Sequence, residues 1–300
     1  MNFKTALLAT AMILTPVTVI AQPTPVTVPT TLSQTDDPSI TDRPASKPIE
    51  PVKIILVGDS TMQVGSGWGG SFCDYHVSPI VACVDMGRGG RSTYSYRAEG
   101  SWNVALDEMK SGGFKDTYVL IQFGHNDQPG KPGRSTNLVT EFPANLKHYV
   151  EEAREAGAQP VLVTPLTRRE FKNGVLQDDL EPWADAVRKV AAELNVPLVD
   201  LHADSATAVQ AMGAAAATQL AEIPPPPDVL AAAGSGTTVP APKSEPPVPM
   251  TPASETGPAG SIKLYFDYTH LSRLGADYFS KIVADDLAKA VPALRKDLLP

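Results

Sequence analysis

The 300-residue chain has two cysteines, Cys73 and Cys83, and five histidines, none in a His-x-x-x-His pair. The cysteine spacing matches no zinc motif, so no metal site is expected. Basic residues are outnumbered, 25 against 33 acidic, for a net charge of −8, which argues against sequence-independent binding to nucleic acid. The phosphate-binding patterns Gly-x-x-x-x-Gly-Lys-Ser/Thr and Gly-x-Gly-x-x-Gly are missing, and no cofactor is expected. Long apolar runs are scarce as well. The run from Ala6 to Ile20 is short and is broken by Pro16, too little for a lasting membrane anchor.

That run follows Lys4 and ends in Val19-Ile20-Ala21, the layout of a basic region, an apolar region and a small-residue cleavage site. Residues 1–21 therefore read as a signal peptide, and the mature chain as secreted or periplasmic, with no membrane insertion after cleavage. Export would permit a Cys73–Cys83 disulfide; two buried thiols are the alternative. Residues 22–50, rich in Pro, Thr, Ser and Asp, read as a linker.

An ordered domain is expected over residues 51–300. Val52 to Val57 is almost unbroken in apolar character and runs into Gly58-Asp59-Ser60-Thr61. Such a run reads as a strand buried on both faces, as in a parallel sheet. Val81–Val84, Tyr118–Phe123, Pro160–Thr164 and Pro197–Leu201 repeat the pattern, separated by amphipathic stretches such as Leu146–Ala153 and Trp183–Leu194. The alternation argues for an α/β protein with a doubly wound parallel sheet. It stops after Leu201, where residues 203–220 read as an Ala-rich helix. The segment 213–260 is Pro- and Ala-rich, with eleven of the 29 prolines between Glu222 and Pro258. This stretch reads as a surface insertion without a packed core.

Open parallel sheets carry their chemistry beyond the carboxyl ends of the strands. Ser60 is placed there as a candidate nucleophile. Glycines 87, 89 and 90 follow the second strand and let backbone N–H groups approach a ligand. Asn126, in Gly124-His125-Asn126-Asp127 after the third strand, offers an amide donor. Asp267 and His270 lie three apart before a final helix, so the carboxylate can orient the imidazole. Each segment alone is equally a polar turn or a helix cap. Together they supply a nucleophile (Ser60), a base (His270), an orienting carboxylate (Asp267) and oxyanion donors (the N–H groups of Ser60 and Gly90, and the Asn126 side chain).

In this order and spacing, Gly58-Asp59-Ser60-Thr61, Gly89-Gly90-Arg91-Ser92, Gly124-His125-Asn126-Asp127 and Asp267-Tyr268-Thr269-His270 resemble the four blocks of the SGNH (GDSL) hydrolases. More narrowly, with Trp68-Gly69, Thr164–Arg169 and Leu198–His202, they resemble the rhamnogalacturonan acetylesterase branch, carbohydrate esterase family 12. One departure is Asp85-Met86-Gly87, where the family often has Asn-x-Ala; another is the insertion before the Asp–His block. The resemblance implies a three-layer α/β/α flavodoxin-like sandwich with a five-stranded parallel sheet. It also implies a metal-free serine esterase that removes acetyl groups from pectic polysaccharide. Arg91, Arg168 and Arg169, with Lys172, are candidates for meeting galacturonate carboxylates, against the −8 charge of the whole chain, with solvated surface arginines the alternative for Arg168 and Arg169. A broader acetylesterase acting on xylan or small esters shares every block. A non-catalytic polysaccharide-binding protein would need a missing part, and none is missing.

Overall fold

The structure, a computed structural model, describes residues 49–239 and 266–299. The signal peptide and all but the last two residues of the linker lie outside the described residues, as does the second half of the insertion.

Five parallel strands form one sheet in the order β2-β1-β3-β4-β7: β1 (Val52–Gly58), β2 (Ala82–Asp85), β3 (Asp116–Gln122), β4 (Gln159–Val163) and β7 (Leu198–Val199). Successive side chains of a strand point to opposite faces, and β1 shows what that requires of a sheet covered on both sides. Ile54 and Leu56 enter one core with α1 (Gly69–Tyr75), α6 (Leu201–Thr218) and α8 (Arg273–Ala290). Ile55 and Val57 enter the other with α3 (Ser101–Lys110), α4 (Glu141–Glu155) and α5 (Glu181–Leu194). The molecule is thus the expected three-layer α/β/α sandwich. A four-residue helix, α2 (Ser95–Ala98), precedes α3. Cys73 in α1 and Cys83 in β2 form a disulfide, which resolves the open pairing and ties a helix to the edge strand.

The strand order reverses direction between β1 and β3. In sheets of this order, the crevice at that reversal, outside the carboxyl ends, is where ligands bind. The register pairs Gly58 with Gln122 at the ends of the two strands. Gly58 is needed for this closeness, because a Cβ there would stand 2.7 Å from the Gln122 carbonyl oxygen.

Two features depart from the sequence reading. Lys172-Asn173-Gly174-Val175 closes a small antiparallel hairpin, β5 (Phe171–Lys172) with β6 (Val175–Leu176); Asn173 and Gly174 supply the positive φ that such a turn demands. The insertion is also not all coil beyond the Ala-rich helix expected over residues 203–220. Residues 201–218 form α6, kinked at Gly213, and α7 (Pro227–Gly234) buries Val229 and Ala233. Ala221 and Val229 pack on Phe266 and Tyr268 in a small cluster of their own. The prolines at 224–227 lead into α7 and end where proline is tolerated, in its first turn. Thr237, Thr238 and Gly236 then bond to the hairpin backbone. Among the described residues, no helix is long and apolar enough to cross a membrane.

Candidate active site

The turn after β1 is fixed from beneath. Asp59 is fully buried, and its Oδ1 accepts hydrogen bonds from the Thr61 N–H (2.9 Å) and Thr61 hydroxyl (2.8 Å). Trp68 Nε1 donates to Gln122 Oε1 at 2.8 Å, and Gln122 Nε2 donates to Thr61 Oγ1 at 2.6 Å, linking the ends of β1 and β3. The Ser66 hydroxyl donates to the Ser60 carbonyl at 2.8 Å. Ser60 is therefore held by its neighbours on both sides of the chain.

Ser60 Oγ lies 2.8 Å from His270 Nε2, although 210 residues separate them. His270 Nδ1 lies 2.6 Å from Asp267 Oδ2. The other carboxylate oxygen accepts the N–H groups of Thr269 (2.8 Å) and His270 (2.7 Å). Burial alone would raise the Asp267 carboxyl, but the His270 contact and these N–H donors outweigh it and bring it down to about 2. Burial alone would lower the imidazole; Asp267, with Glu222 and Asp59, reverses that and raises His270 above its ordinary 6.5. Nδ1 thus carries the proton donated to Asp267, leaving the Nε2 lone pair to accept from Ser60 in the neutral ring.

The second and third loops meet beside Ser60. Asp127 accepts from the Thr93 N–H (3.1 Å) and hydroxyl (2.5 Å) and from Thr136 Oγ1 (2.9 Å), binding the Gly124–Asp127 turn to the loop after β2. Burial raises its carboxyl to about 7 despite these donors. Asn126 Nδ2 donates one proton to the Arg91 carbonyl at 3.0 Å, leaving its second proton for another acceptor. Gly90 has φ of +76°, which swings its peptide into a conformation open to glycine. Among the described residues, the N–H groups of Ser60 and Gly90 have no acceptor. The structure therefore joins Ser60, His270 and Asp267 directly, and gathers Gly90 and Asn126 about Arg134 on loops that adjoin the Ser60 turn through the Arg88 N–H to the Gly58 carbonyl (2.9 Å) and His125 to Asp59 (3.4 Å). Ser60 has 8% of its surface exposed, enough for an acyl carbonyl to approach.

The arginines differ from expectation. Arg169 has none of its surface exposed and cannot meet a substrate. Its guanidinium donates to the carbonyls of His270 (2.7 Å) and Thr269 (3.3 Å), and its N–H donates to the Tyr268 carbonyl (3.0 Å). Arg168 is committed to Asp179, Gln128 Oε1 (2.8 Å) and Thr269 Oγ1 (3.3 Å). Arg91 pairs with Glu99 at 2.8 Å and donates to the Gly89 carbonyl at 2.7 Å. All three brace loops instead of presenting a free cation. Nothing in Arg168-Arg169 told which side chain turns inward.

Glu222 and Arg134 had no signal in the sequence, and His125 stood in the third block without an assigned role. The Glu222 N–H donates to the His270 carbonyl at 3.1 Å, so the insertion's first turn holds the base. Arg134 NH1 reaches the Gly90 carbonyl and Asn126 Oδ1, each at 3.4 Å. His125 is buried beside Asp59, Nδ1 to Oδ2 at 3.4 Å, and burial lowers its pKa, which keeps it neutral. Away from this pocket, His202 Nε2 lies 3.0 Å from Asp178 Oδ2 and 3.2 Å from Glu181 Oε2, close enough to hold a cation. Glu181 is already paired with Arg188 at 2.7 Å, and His202 Nδ1 lies 3.1 Å from the Pro165 carbonyl, so the cluster is also complete as a hydrogen-bond network.

Comparison with known proteins adds an independent line. The family model described as GDSL-like lipase/acylhydrolase matches residues 56–239, a span that holds Ser60, Gly90 and Asn126 and ends before Asp267. The protein named probable rhamnogalacturonan acetylesterase YesY, from Bacillus subtilis (strain 168), is 37% identical over 155 residues, 49% of this chain and 69% of that one. Rhamnogalacturonan acetylesterase RhgT from the same organism is 37% identical over 172 residues, 55% of this chain and 71% of that one. The crystal structure of protein YXIM_BACsu from Bacillus subtilis superposes with a TM-score of 0.55 at 18% identity, over 81% of this chain and 58% of that one, a likeness of fold.

Proposed function

Because the chain belongs to the GDSL-like lipase/acylhydrolase family and is a carboxylic ester hydrolase, we propose that it is an exported O-acetylesterase that deacetylates pectic, rhamnogalacturonan-type polysaccharide through a Ser60–His270–Asp267 acyl-enzyme mechanism. The relay from Ser60 Oγ to His270 Nε2 (2.8 Å) and from Nδ1 to Asp267 (2.6 Å) carries the mechanism. The relatives named rhamnogalacturonan acetylesterases support the substrate, and the N-terminal pattern around Ala6–Ile20 supports export.

Ser60 Oγ attacks the acetyl carbonyl carbon as its proton passes to His270 Nε2. Negative charge grows on the carbonyl oxygen, where the N–H groups of Ser60 and Gly90 and the second Asn126 proton stabilise it. Asp267, ionised at any working pH, stabilises the imidazolium and keeps its ring in place. The tetrahedral adduct collapses, the C–O bond to the sugar breaks, and His270 returns the proton to the departing alkoxide. Water, deprotonated by His270, then attacks the acetyl-Ser60 carbonyl; the second adduct breaks its bond to Ser60 Oγ, which takes the proton back from His270, and acetate leaves.

The test is acetate release from acetylated pectic oligosaccharide. Ser60→Ala is expected to lose about 10⁶-fold in kcat with little change in melting temperature, because the only bond the hydroxyl makes among the described residues is the 2.8 Å contact with His270. A well-folded Ser60→Ala protein that still releases acetate at the wild-type rate would remove Ser60 from the role of nucleophile.

A further inference from the structure

We infer that the Arg134 guanidinium is a carboxylate-binding subsite, and that it selects a uronate unit beside the acetylated sugar. The inference rests on the acetylesterase reading above and adds to it the residue that reads substrate charge. A chain of net charge −8 repels a polyanion at long range, so productive binding needs a cation close to the reacting ester.

The site offers few such cations. Arg91 is spent on Glu99, Arg168 on Asp179, and Arg169 on buried carbonyls. Lys131 is turned inward to the His125 carbonyl, and burial drops its pKa to about 8. Arg88, in the loop after β2, is exposed and makes no side-chain hydrogen bond or ion pair among the described residues, but Arg134 alone of these cations reaches both Gly90 and Asn126. Arg134 is half-buried, and among the described residues no carboxylate lies within 4.0 Å of it. Its contacts are two neutral oxygens at 3.4 Å, both to NH1, which leaves the rest of a planar donor fork open. Burial, followed by the neighbouring Arg91 charge, lowers its pKa, so an incoming anion relieves both.

Position completes the argument. NH1 would stand 3.2 Å from a Cβ on Gly90, so the cation borders the loop that offers a proposed oxyanion donor. A carboxylate bound there lies against the same loop that faces the ester carbonyl. The ligand class is therefore an acidic sugar, held by a bidentate arginine contact while its neighbour is deacetylated. The turn bearing Arg134 is braced by its own hydrogen bonds, Arg134 backbone N–H to the Lys131 carbonyl at 3.0 Å and Ser135 Oγ to the Gln128 carbonyl at 2.8 Å, so the backbone that carries the side chain is held in place.

The experiment compares two acetylated oligosaccharides that differ only in having the galacturonate as free acid or as methyl ester, with acetate release as the readout. In wild type, masking the carboxylate should raise KM about tenfold, the loss expected for a charge-assisted contact, and added salt should shrink the difference. In Arg134→Gln the ratio between the two substrates should fall to about one; in Arg134→Lys, a point charge without the fork, it should be intermediate. A wild-type ratio retained by Arg134→Gln overturns the inference. An equal loss on both substrates also overturns it, and assigns Arg134 to the oxyanion instead. A wild type that hydrolyses p-nitrophenyl acetate but neither glycan defeats the pectic reading itself, and this inference with it.

Discussion

Half of the candidate site stands on the sheet and half on a short turn, and the two halves are held by different means. Ser60 and Asn126 leave the ends of β1 and β3, whose register is set by seven paired positions from Val52–Asp116 to Gly58–Gln122. Asp267 and His270 sit on a turn with no strand beneath it. That turn is fastened from three sides, by Arg169, by the Glu222 N–H and by the Ser66 carbonyl, which accepts from the Leu271 N–H at 2.8 Å. A strand end is positioned by many hydrogen bonds at once, so no single one decides it. A pinned turn depends on each pin. The sheet side should accordingly tolerate changes around it and fail only when a reacting group is removed. The turn side should fail gradually as its pins are lost.

Asn126→Ala probes the sheet side and should have the larger effect. Loss of one oxyanion donor typically costs about 10²–10³ in kcat. The fall should appear in kcat with little change in KM, because the donor meets charge present only in the transition state. A fall confined to KM would make Asn126 a ground-state contact. Arg169→Gln probes the turn side. It removes a buried cation and shortens the reach to the Thr269 and His270 carbonyls. A displacement of the imidazole by about 1 Å costs on the order of 10- to 100-fold in rate. The expected result is a lower kcat with KM held. An unchanged kcat in a folded variant would show that Glu222 and Ser66 suffice.

The same division explains what the sequence could reveal. Val52–Val57, Tyr118–Phe123 and Pro160–Thr164 are nearly uniform apolar runs because β1, β3 and β4 are covered on both faces, and a doubly covered strand leaves that mark. The residues of the pocket were legible through their order along the chain and their likeness to known blocks. The pins were not. A backbone carbonyl accepting from Arg169, or a Glu222 N–H donating to His270, leaves no trace in residue type, because any residue has the same backbone group. The insertion misled for a related reason: its prolines deny helix and sheet locally, yet Val229 found a surface on Phe266 and Tyr268, and Ala233 one on the main core, that only the folded chain provides. Charge at the surface was misread in the same way. Arg168 and Arg169 are adjacent, and only tertiary packing makes one a buried brace and the other a partner of Asp179.

Glu222 gives the finest test of how far the turn side is tuned as well as held. Its backbone pins His270, and its side-chain charge adds to the Asp267 contact in raising the imidazole above 6.5. In the proposed mechanism His270 must be neutral to accept the Ser60 proton, so kcat/KM should climb with pH as His270 loses its proton and then level off. Asp267, down at about 2, stays ionised throughout and adds no second limb in that range. Replacing Glu222 by Gln keeps the N–H bond and removes the charge. A raised pKa relaxes toward its ordinary value when a supporting anion goes, so the rising limb should move to lower pH, by a fraction of a unit, with the plateau unchanged. On a neutral ester substrate the shift reports His270 alone, free of any effect on substrate charge. A rising limb that moves to higher pH, or a plateau that drops while the limb stays in place, would mean that Glu222 acts by holding the backbone or the substrate and not through its charge.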